Sequence, residues 1–289
     1  MAKDLFGEEI IEDILLRDTF IEPPFTVLDS KNGNWQNRKR NWINKGLRSE
    51  VGRDIKLFAG SDINDFMGKR MQGVGDKVSV FDPALTEVLY HWFCDENGEI
   101  LDPFAGGSVR GIVANYLGYK YTGIDIRQEQ IDSNREQAMD ILPIENQPQW
   151  YVGDSNKLLD DKWNVDFDLV MSCPPYADLE VYSDLEGDIS NKPYKKFLEL
   201  YESIIEKSCK LLKSGGYACF VVGEVRDKNG YYIGFVPDTI KAFEKCGMKF
   251  YNEAILLNAI ASASMRANGN MKSQKLVKVH QNVLVFKKP

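Results

Sequence analysis

Two short phrases in this chain hold residue types that could do chemistry together. They are Leu101-Asp102-Pro103-Phe104-Ala105-Gly106-Gly107-Ser108 and Ser172-Cys173-Pro174-Pro175-Tyr176, and each closes an apolar run. Proline has no N–H, so the Pro174-Pro175 step fixes the backbone with carbonyls presented and donors withheld. Such acceptors suit an amine conjugated to a flat ring. That amine is a poor nucleophile until hydrogen bonds from its N–H groups draw its lone pair out of the ring. An exocyclic amine of adenine or cytosine has this character. Tyr176 offers a face for the ring, a contact worth about 1–3 kcal/mol per base, and a base in a duplex must first leave the stack. Cys173 adds a thiol, a weak acceptor, so the Pro174 carbonyl carries most of that load.

The first phrase reads as a ligand turn. Gly106 and Gly107 let the backbone approach a bound molecule closely. The run Gly106-Gly107-Ser108-Val109-Arg110-Gly111 does not have the G-x-G-x-x-G spacing of a dinucleotide site. Asp125, about 20 residues further on, ends the next apolar run and suits a ribose diol. Asp154, in Val152-Gly153-Asp154-Ser155, could accept from an adenine amino group. Carboxylates at Asp102, Asp125 and Asp154, on three successive strand ends, suit an adenosine ligand that also carries a cationic sulfonium and an ammonium group.

The elements that must position these residues alternate. Strands are expected at Gly98–Ala105, Lys120–Ile126, Trp150–Gly153, Phe167–Cys173 and Tyr217–Val222, with helices at Ser108–Leu117, Gln128–Leu142, Lys195–Leu212 and Pro237–Lys245. Ser214-Gly215-Gly216 reads as a helix stop. Phe250–Leu257 and Asn282–Phe286 read as two last strands with no helix between them, hence an antiparallel pair. The expected fold is α/β, with a mostly parallel sheet and an antiparallel last strand. Ligands of such sheets bind past the strand carboxyl ends.

Residues 1–80 lack this rhythm and read as an extension packed on a main domain at 81–289. An acidic stretch at Glu8–Leu16 reads as a helix, Pro23-Pro24 breaks the chain, and residues 32–44 are polar, basic and Trp-punctuated. The formal net charge of −7 argues against a general nucleic-acid binder. Charge is unevenly spread, however. Residues 31–56 hold eight bases against two acids, and Arg38, Lys39 and Arg40 are candidates for phosphate contacts. Residues 259–278 are rich in Gly, Ser and Asn, carry Arg266, Lys272, Lys275 and Lys278 without an acid, and read as a phosphate-contacting loop. Residues 177–194 are acidic and read as a lid. Glu224 and Arg226 either pair with each other or line the ring slot. Five cysteines without a C-x-x-C pair, with only His91 and His280 as imidazoles, argue against a metal site and for reduced thiols. There is no apolar run of membrane length and no secretory signal, so the expected location is cytoplasmic.

The chain resembles the amino-methyltransferases of DNA that act on N6 of adenine or N4 of cytosine, whose motifs are D-P-F-x-G-S-G and [DNS]-P-P-[YFW]. It is especially similar to a phage and prophage group with the shared stretches Trp35–Trp42, Asp102–Gly111, Ser172–Asp184, Val221–Lys228 and His280–Phe286. The resemblance implies a Rossmann-like, S-adenosylmethionine-dependent fold, DNA as partner and, for a phage gene, the bacterial host cytoplasm. The cofactor pocket it implies comprises Phe81, Asp82, Pro83, Asp102, Phe104, Gly106, Asp125 and Asp154, with catalysis by Cys173, Pro174, Pro175 and Tyr176. Methyl transfer is then direct, with no covalent enzyme–base intermediate. Cys173 departs from the usual Asp, Asn or Ser. Its near-isostere serine occurs in N4-cytosine enzymes, which tilts the expectation toward cytosine. The cofactor motif precedes the catalytic one with no room between them for a large target-recognition domain, so recognition is expected from elsewhere. Two other readings remain open: an RNA base methyltransferase, and a catalytically weakened fold that binds DNA.

Overall fold

The computed structural model describes residues 16–48, 81–160, 163, 165–176, 185, 187–258 and 263–289. The acidic segment expected at Glu8–Leu16, apart from Leu16, and half of the expected lid lie outside these residues. The described chain begins with helix α1 (Leu16–Phe20), strand β1 (Val27–Asp29) and helix α2 (Gly33–Asn44). Asn32 starts α2 by accepting the Trp35 N–H at 2.8 Å. Trp35 and Trp42, two turns apart, are its buried residues, so the polar, Trp-punctuated stretch is an amphipathic helix.

Helix α3 (Pro83–Phe93) follows. Asp82 caps it through the Ala84 and Leu85 N–H groups, and Pro83 occupies the first turn, where a missing N–H costs nothing. From there strand and helix alternate: β2 (Glu99–Asp102), α4 (Val109–Tyr116), β3 (Lys120–Asp125), α5 (Gln128–Ile141), β4 (Gln149–Val152), α6 (Ser155–Leu158) and β5 (Phe167–Ser172). After a 3-10 turn at Ile189–Asn191 come α7 (Tyr194–Leu211), β6 (Leu212–Val222), α8 (Phe235–Lys245), β7 (Lys249–Leu257), α9 (Ala263–Lys272) and β8 (His280–Lys287).

The strands form one sheet in the order β1-β7-β8-β6-β5-β2-β3-β4. β2 pairs in parallel with β3 on one side and β5 on the other. β8 runs antiparallel to both β6 and β7. Chain order therefore reverses at β2, and the carboxyl ends of β2 and β5 flank the switch-point crevice. Every residue of β5 is buried, as a strand covered on both faces requires. On one face α7 presents Phe197, Tyr201, Ile204 and Ile205, which pack with Phe220, Phe235 and Phe243. On the other, α3 and α4 bring Leu85, Val88, Ile112 and Val113 into a second core.

Two expectations are corrected. Ser214-Gly215-Gly216 does not stop a helix, because α7 ends at Leu211 and those residues run inside β6. The β5–β6 ladder shifts register between Phe167 and Leu169. Gly215, at φ +82°, absorbs the irregularity, and the backbones of Gly215 and Gly216 bond that of Lys288 at 2.9 Å. The last two strands do pair antiparallel, but helix α9 lies between them where a loop was expected.

Candidate active site

A cavity of about 650 Å³ opens at the carboxyl ends of β2, β3, β4 and β5, inside the usual range for small-ligand pockets of about 300–1,000 Å³. Both phrases reach it. Phe104 and Gly106 come from the β2 turn, Asp125 from the end of β3, Asp154 from the end of β4, and Cys173, Pro174, Pro175 and Tyr176 from the end of β5. Phe81 and Asp82 close another side.

Pro83, Asp102 and Gly107 are not on the cavity wall. Pro83 is buried in the first turn of α3. Asp102 is fully buried and its carboxylate is occupied within the protein. Its Oδ2 accepts from Arg110 Nε at 2.5 Å and Tyr121 OH at 2.7 Å. Its Oδ1 accepts from Ser172 Oγ at 2.6 Å and the Phe104 N–H at 3.2 Å. Asp102 is thus the joint beneath the two phrases: Ser172 ties the β5 loop to it, and Phe104 ties the β2 turn to it. Burial holds the Tyr121 hydroxyl protonated, well above the ordinary tyrosine range, so it serves here as a donor. For Arg110, burial alone would weaken the charge, but Asp102 beside it outweighs that and raises its pKa.

Arg110 is a cavity residue that motif reasoning passed over. Its Nη2 donates to the carbonyls of Phe104 and Ala105, each at 2.8 Å, and its guanidinium lies 4.6 Å from the Phe81 ring centre. It therefore shapes the glycine turn from below. A stripe of buried amides on α5 was also missed. Gln130 accepts from Arg127 Nη2 at 2.7 Å and donates to Asn134 Oδ1 at 3.0 Å. Asn134 donates to the Gly106 carbonyl at 2.7 Å. Gln137 accepts from Ser108 Oγ at 2.8 Å and donates to the Arg48 carbonyl at 2.6 Å. The visible signal is the spacing of Gln130, Asn134 and Gln137, which gives one face of a helix amides where aliphatics are usual.

Asp125 accepts the Gly106 N–H at 2.9 Å through Oδ2 and the Arg127 N–H at 2.8 Å through Oδ1. Gly106 itself sits at φ +52°, where a side chain is disfavoured. Burial pushes the Asp125 carboxyl above its ordinary value, with the two N–H groups pulling the other way. Asp154 caps α6 through the Asn156 N–H at 2.9 Å. Asp188, also on the wall, accepts from the Ser190 N–H and hydroxyl. Four carboxylates (Asp82, Asp125, Asp154, Asp188) thus ring a cavity whose wall cations are Lys39, Arg110 and Arg127. Arg110 and Lys39 are each paired with an aspartate, and Lys39 lies 3.2 Å from Asp82. This donor set fits S-adenosylmethionine: acids for its sulfonium and ammonium, a carboxylate at a β-strand end for its ribose, and the bare Gly106 backbone for close approach.

In the expected ring slot, Tyr176 meets Phe235 edge-on at 5.9 Å and its hydroxyl accepts from Gln281 Nε2 at 3.2 Å. Glu224 and Arg226 do not pair with each other. Glu224 accepts the N–H groups of Gly234 at 3.3 Å and Val236 at 2.9 Å, which seats the start of α8. Arg226 stacks 3.9 Å over Tyr232 and donates to the Gly230 carbonyl at 2.7 Å. The run Arg38-Lys39-Arg40 is largely a docking device. Arg38 pairs with Glu87 at 2.8 Å, Lys39 with Asp82, and Trp42 also donates to Glu87 at 3.4 Å, fastening α2 to α3. Ser30, Gln36 and Lys39 of this segment reach the cavity wall. Among the described residues no His, Cys, Asp and Glu group could hold a metal ion. No described helix is long and apolar enough to cross a membrane.

Strand order, the reversed β8 and a cavity at the switch point define a Rossmann-like α/β fold. Residues 89–226, which carry both phrases, match the family described as Eco57I restriction-modification methylase. No curated protein matches the chain. Among solved structures, TrmN from Thermus thermophilus is 14% identical, covers 72% of this chain and 49% of its own length, and has a TM-score of 0.47. The chain thus spans about half of that protein. A TehB-like SAM-dependent methyltransferase from Corynebacterium glutamicum is 18% identical, covering 77% of this chain and 95% of that one, with a TM-score of 0.43. A second Thermus thermophilus structure, provisionally described as a DNA modification methylase, is 20% identical over 47% of this chain and 50% of that one, with a TM-score of 0.35. All three likenesses are distant.

Proposed function

We propose that the protein transfers a methyl group from S-adenosylmethionine to the exocyclic amine of adenine or cytosine in DNA. The observation that carries this is the meeting of two loops in one cavity. Gly106, Asp125 and Asp154 lie on one side, and Cys173, Pro174, Pro175 and Tyr176 on the other. When bound, S-adenosylmethionine supplies an electrophilic methyl group on sulfonium. On the protein side, Asp125 would take the ribose hydroxyls and Asp154 the adenine amine, and the bare backbone at Gly106 would allow close approach.

Across the cavity, the Pro174 carbonyl accepts a hydrogen bond from the target amine and localises its lone pair on nitrogen. Tyr176 stacks on the ring, and Gln281 holds the Tyr176 hydroxyl and so its orientation. Pro174 and Tyr176 keep the amine oriented toward the methyl group that S-adenosylmethionine held in the cavity would supply to that nitrogen, its sulfur taking the bonding electron pair. The amine then loses a proton to solvent.

The test is incubation with isotopically labelled S-adenosylmethionine and unmethylated DNA or RNA, digestion to nucleosides, and mass spectrometry. Labelled N6-methyladenine or N4-methylcytosine from DNA is the expected product. A product from RNA alone, or cofactor binding without any product, would replace this reading with an RNA enzyme or a binding protein.

A further inference from the structure

We infer that helix α9 and the hairpin at 226–232 form the surface that holds the phosphate backbone of duplex DNA beside the base slot. This rests on the proposed DNA substrate and names the part of the chain that grips it.

Both pieces are rooted in the cavity wall. The excursion between β7 and β8 leaves at Asn258 and returns at Gln281, and both residues line the cavity. The Asn258 N–H bonds the Val279 carbonyl at 2.9 Å and closes the base of the excursion. The hairpin leaves from the end of β6 at Gly223. A Cβ placed on Gly223 would lie 3.5 Å from both Tyr176 OH and Lys278 Nζ, so hairpin root, ring slot and excursion meet there. The hairpin is closed by a bridge between Arg226 and Tyr232. The two pieces also touch at their far ends, since a side chain on Gly230 would collide with that of Lys275.

On the excursion the chemistry is one-sided, and the hairpin sets Arg226 and Lys228 against the single acid Asp227. Residues 259–278 contain no acid in a chain of net charge −7. Arg266 and Lys272 are exposed, and among the described residues Arg266, Lys272 and Lys275 form no ion pair, unlike Arg38 and Lys39. Lys278 sits deeper, and burial lowers its pKa. Tyr231 is 73% exposed at the hairpin and Tyr232 51%. Cations and exposed aromatics on two pieces that meet beside Tyr176 match a polyanion that carries flat bases. On α2, Arg38 and Lys39 are engaged with Glu87 and Asp82 and Arg40 with its own helix, whereas Arg266, Lys272 and Lys275 of the excursion pair with no acid among the described residues.

The test compares the whole protein with the triple variant Arg266→Ala, Lys272→Ala, Lys275→Ala on a fluorescent DNA duplex across a salt series. A charge-matched control is Lys210→Ala, Lys241→Ala, Lys245→Ala, on α7 and α8. The triple variant should bind DNA more weakly at every sequence, by tenfold or more at low salt. The slope of log affinity against log salt should become shallower by about 2–3, since each lost phosphate contact removes about 0.9. The control should keep the wild-type slope. Unchanged S-adenosylmethionine affinity in the triple variant shows that its fold is intact. Wild-type affinity and slope in that variant overturn the assignment while leaving the DNA substrate standing. If the unmodified protein shows no salt-dependent duplex binding, or binds structured RNA more tightly, the DNA reading falls and the surface with it.

Discussion

Arg110 Nε donates to Asp102 Oδ2 over 2.5 Å, and both side chains are buried, Asp102 beneath the cavity and Arg110 at its wall. The pair holds two loops at once, because Asp102 also takes Ser172 and Phe104, and Arg110 also holds the Phe104 and Ala105 carbonyls. Removing one partner of a buried pair leaves an uncompensated charge and costs about 3–5 kcal/mol. Asp102→Asn should therefore lower the urea midpoint sharply. Whatever folds should bind S-adenosylmethionine less tightly, although residue 102 does not touch it. A variant with wild-type urea stability would show that the pair is not what joins the loops.

Asp125 should matter to the ligand directly. Asp125→Ala is expected to weaken S-adenosylmethionine binding by more than tenfold by calorimetry, since a hydrogen bond to a charged group is worth about 1.5–3 kcal/mol. Equal affinity in a folded variant would take Asp125 out of the site.

Its ionisation also predicts a pH dependence. The folded carboxyl is raised above 3.8 by burial, so the folded state holds its proton more tightly than the unfolded chain. Stability of the ligand-free protein should then fall as pH rises from the unfolded value through the raised folded one. S-adenosylmethionine binding should strengthen over the same rise. Asp125→Asn should remove both trends, which thermal melts across the acid range with and without ligand can check.

Cys173→Ser should keep or raise methyl transfer, because oxygen accepts a hydrogen bond better than sulfur. Cys173→Ala should reduce it only modestly, with the Pro174 carbonyl still in place. Steady-state rates on methylatable DNA test both. A covalent protein–DNA adduct at Cys173 would point to attack on a ring carbon and end the amino-methyltransferase mechanism.

The other thiols should behave differently. Burial pushes Cys94 up to about 12 and raises Cys219 well above its ordinary value. Both should resist iodoacetamide at pH 8 until the protein unfolds, as peptide mass mapping would show. Rapid labelling of either in the native state would contradict their burial.

Much of the fold was legible because each central strand is a short apolar run with turn residues behind it. Loops at the ends of β2, β3, β4 and β5 then converge by topology, which is why Phe104, Gly106, Asp125, Asp154 and Cys173–Tyr176 could be picked from sequence as neighbours. Asp102 was misjudged because a motif position cannot show whether a carboxylate faces a ligand or an internal arginine. Its partners Arg110 and Tyr121 are fixed only by packing. Partners of the basic run at 38–40 were hidden for a related reason: Arg38 and Lys39 look free until Glu87 and Asp82 are seen across the α2–α3 contact. Helix α9 was missed because its Gly and Asn content mimics a loop and local propensity is a weak guide.

The contacts of the first described residues have a consequence for how this chain could be rearranged. Ser30, Gln36 and Lys39 form part of the ligand wall, β1 extends the sheet beside β7, and Arg48 satisfies the Gln137 amide through its backbone. A fragment starting at Phe81 would keep the glycine turn and the Pro-Pro loop but would begin in the middle of the binding wall. The half with both motifs is therefore not a portable cassette: gene fusions, permutations or trimmed variants that keep both motifs yet discard the preceding strand and helix would carry the two loops without the whole container between them.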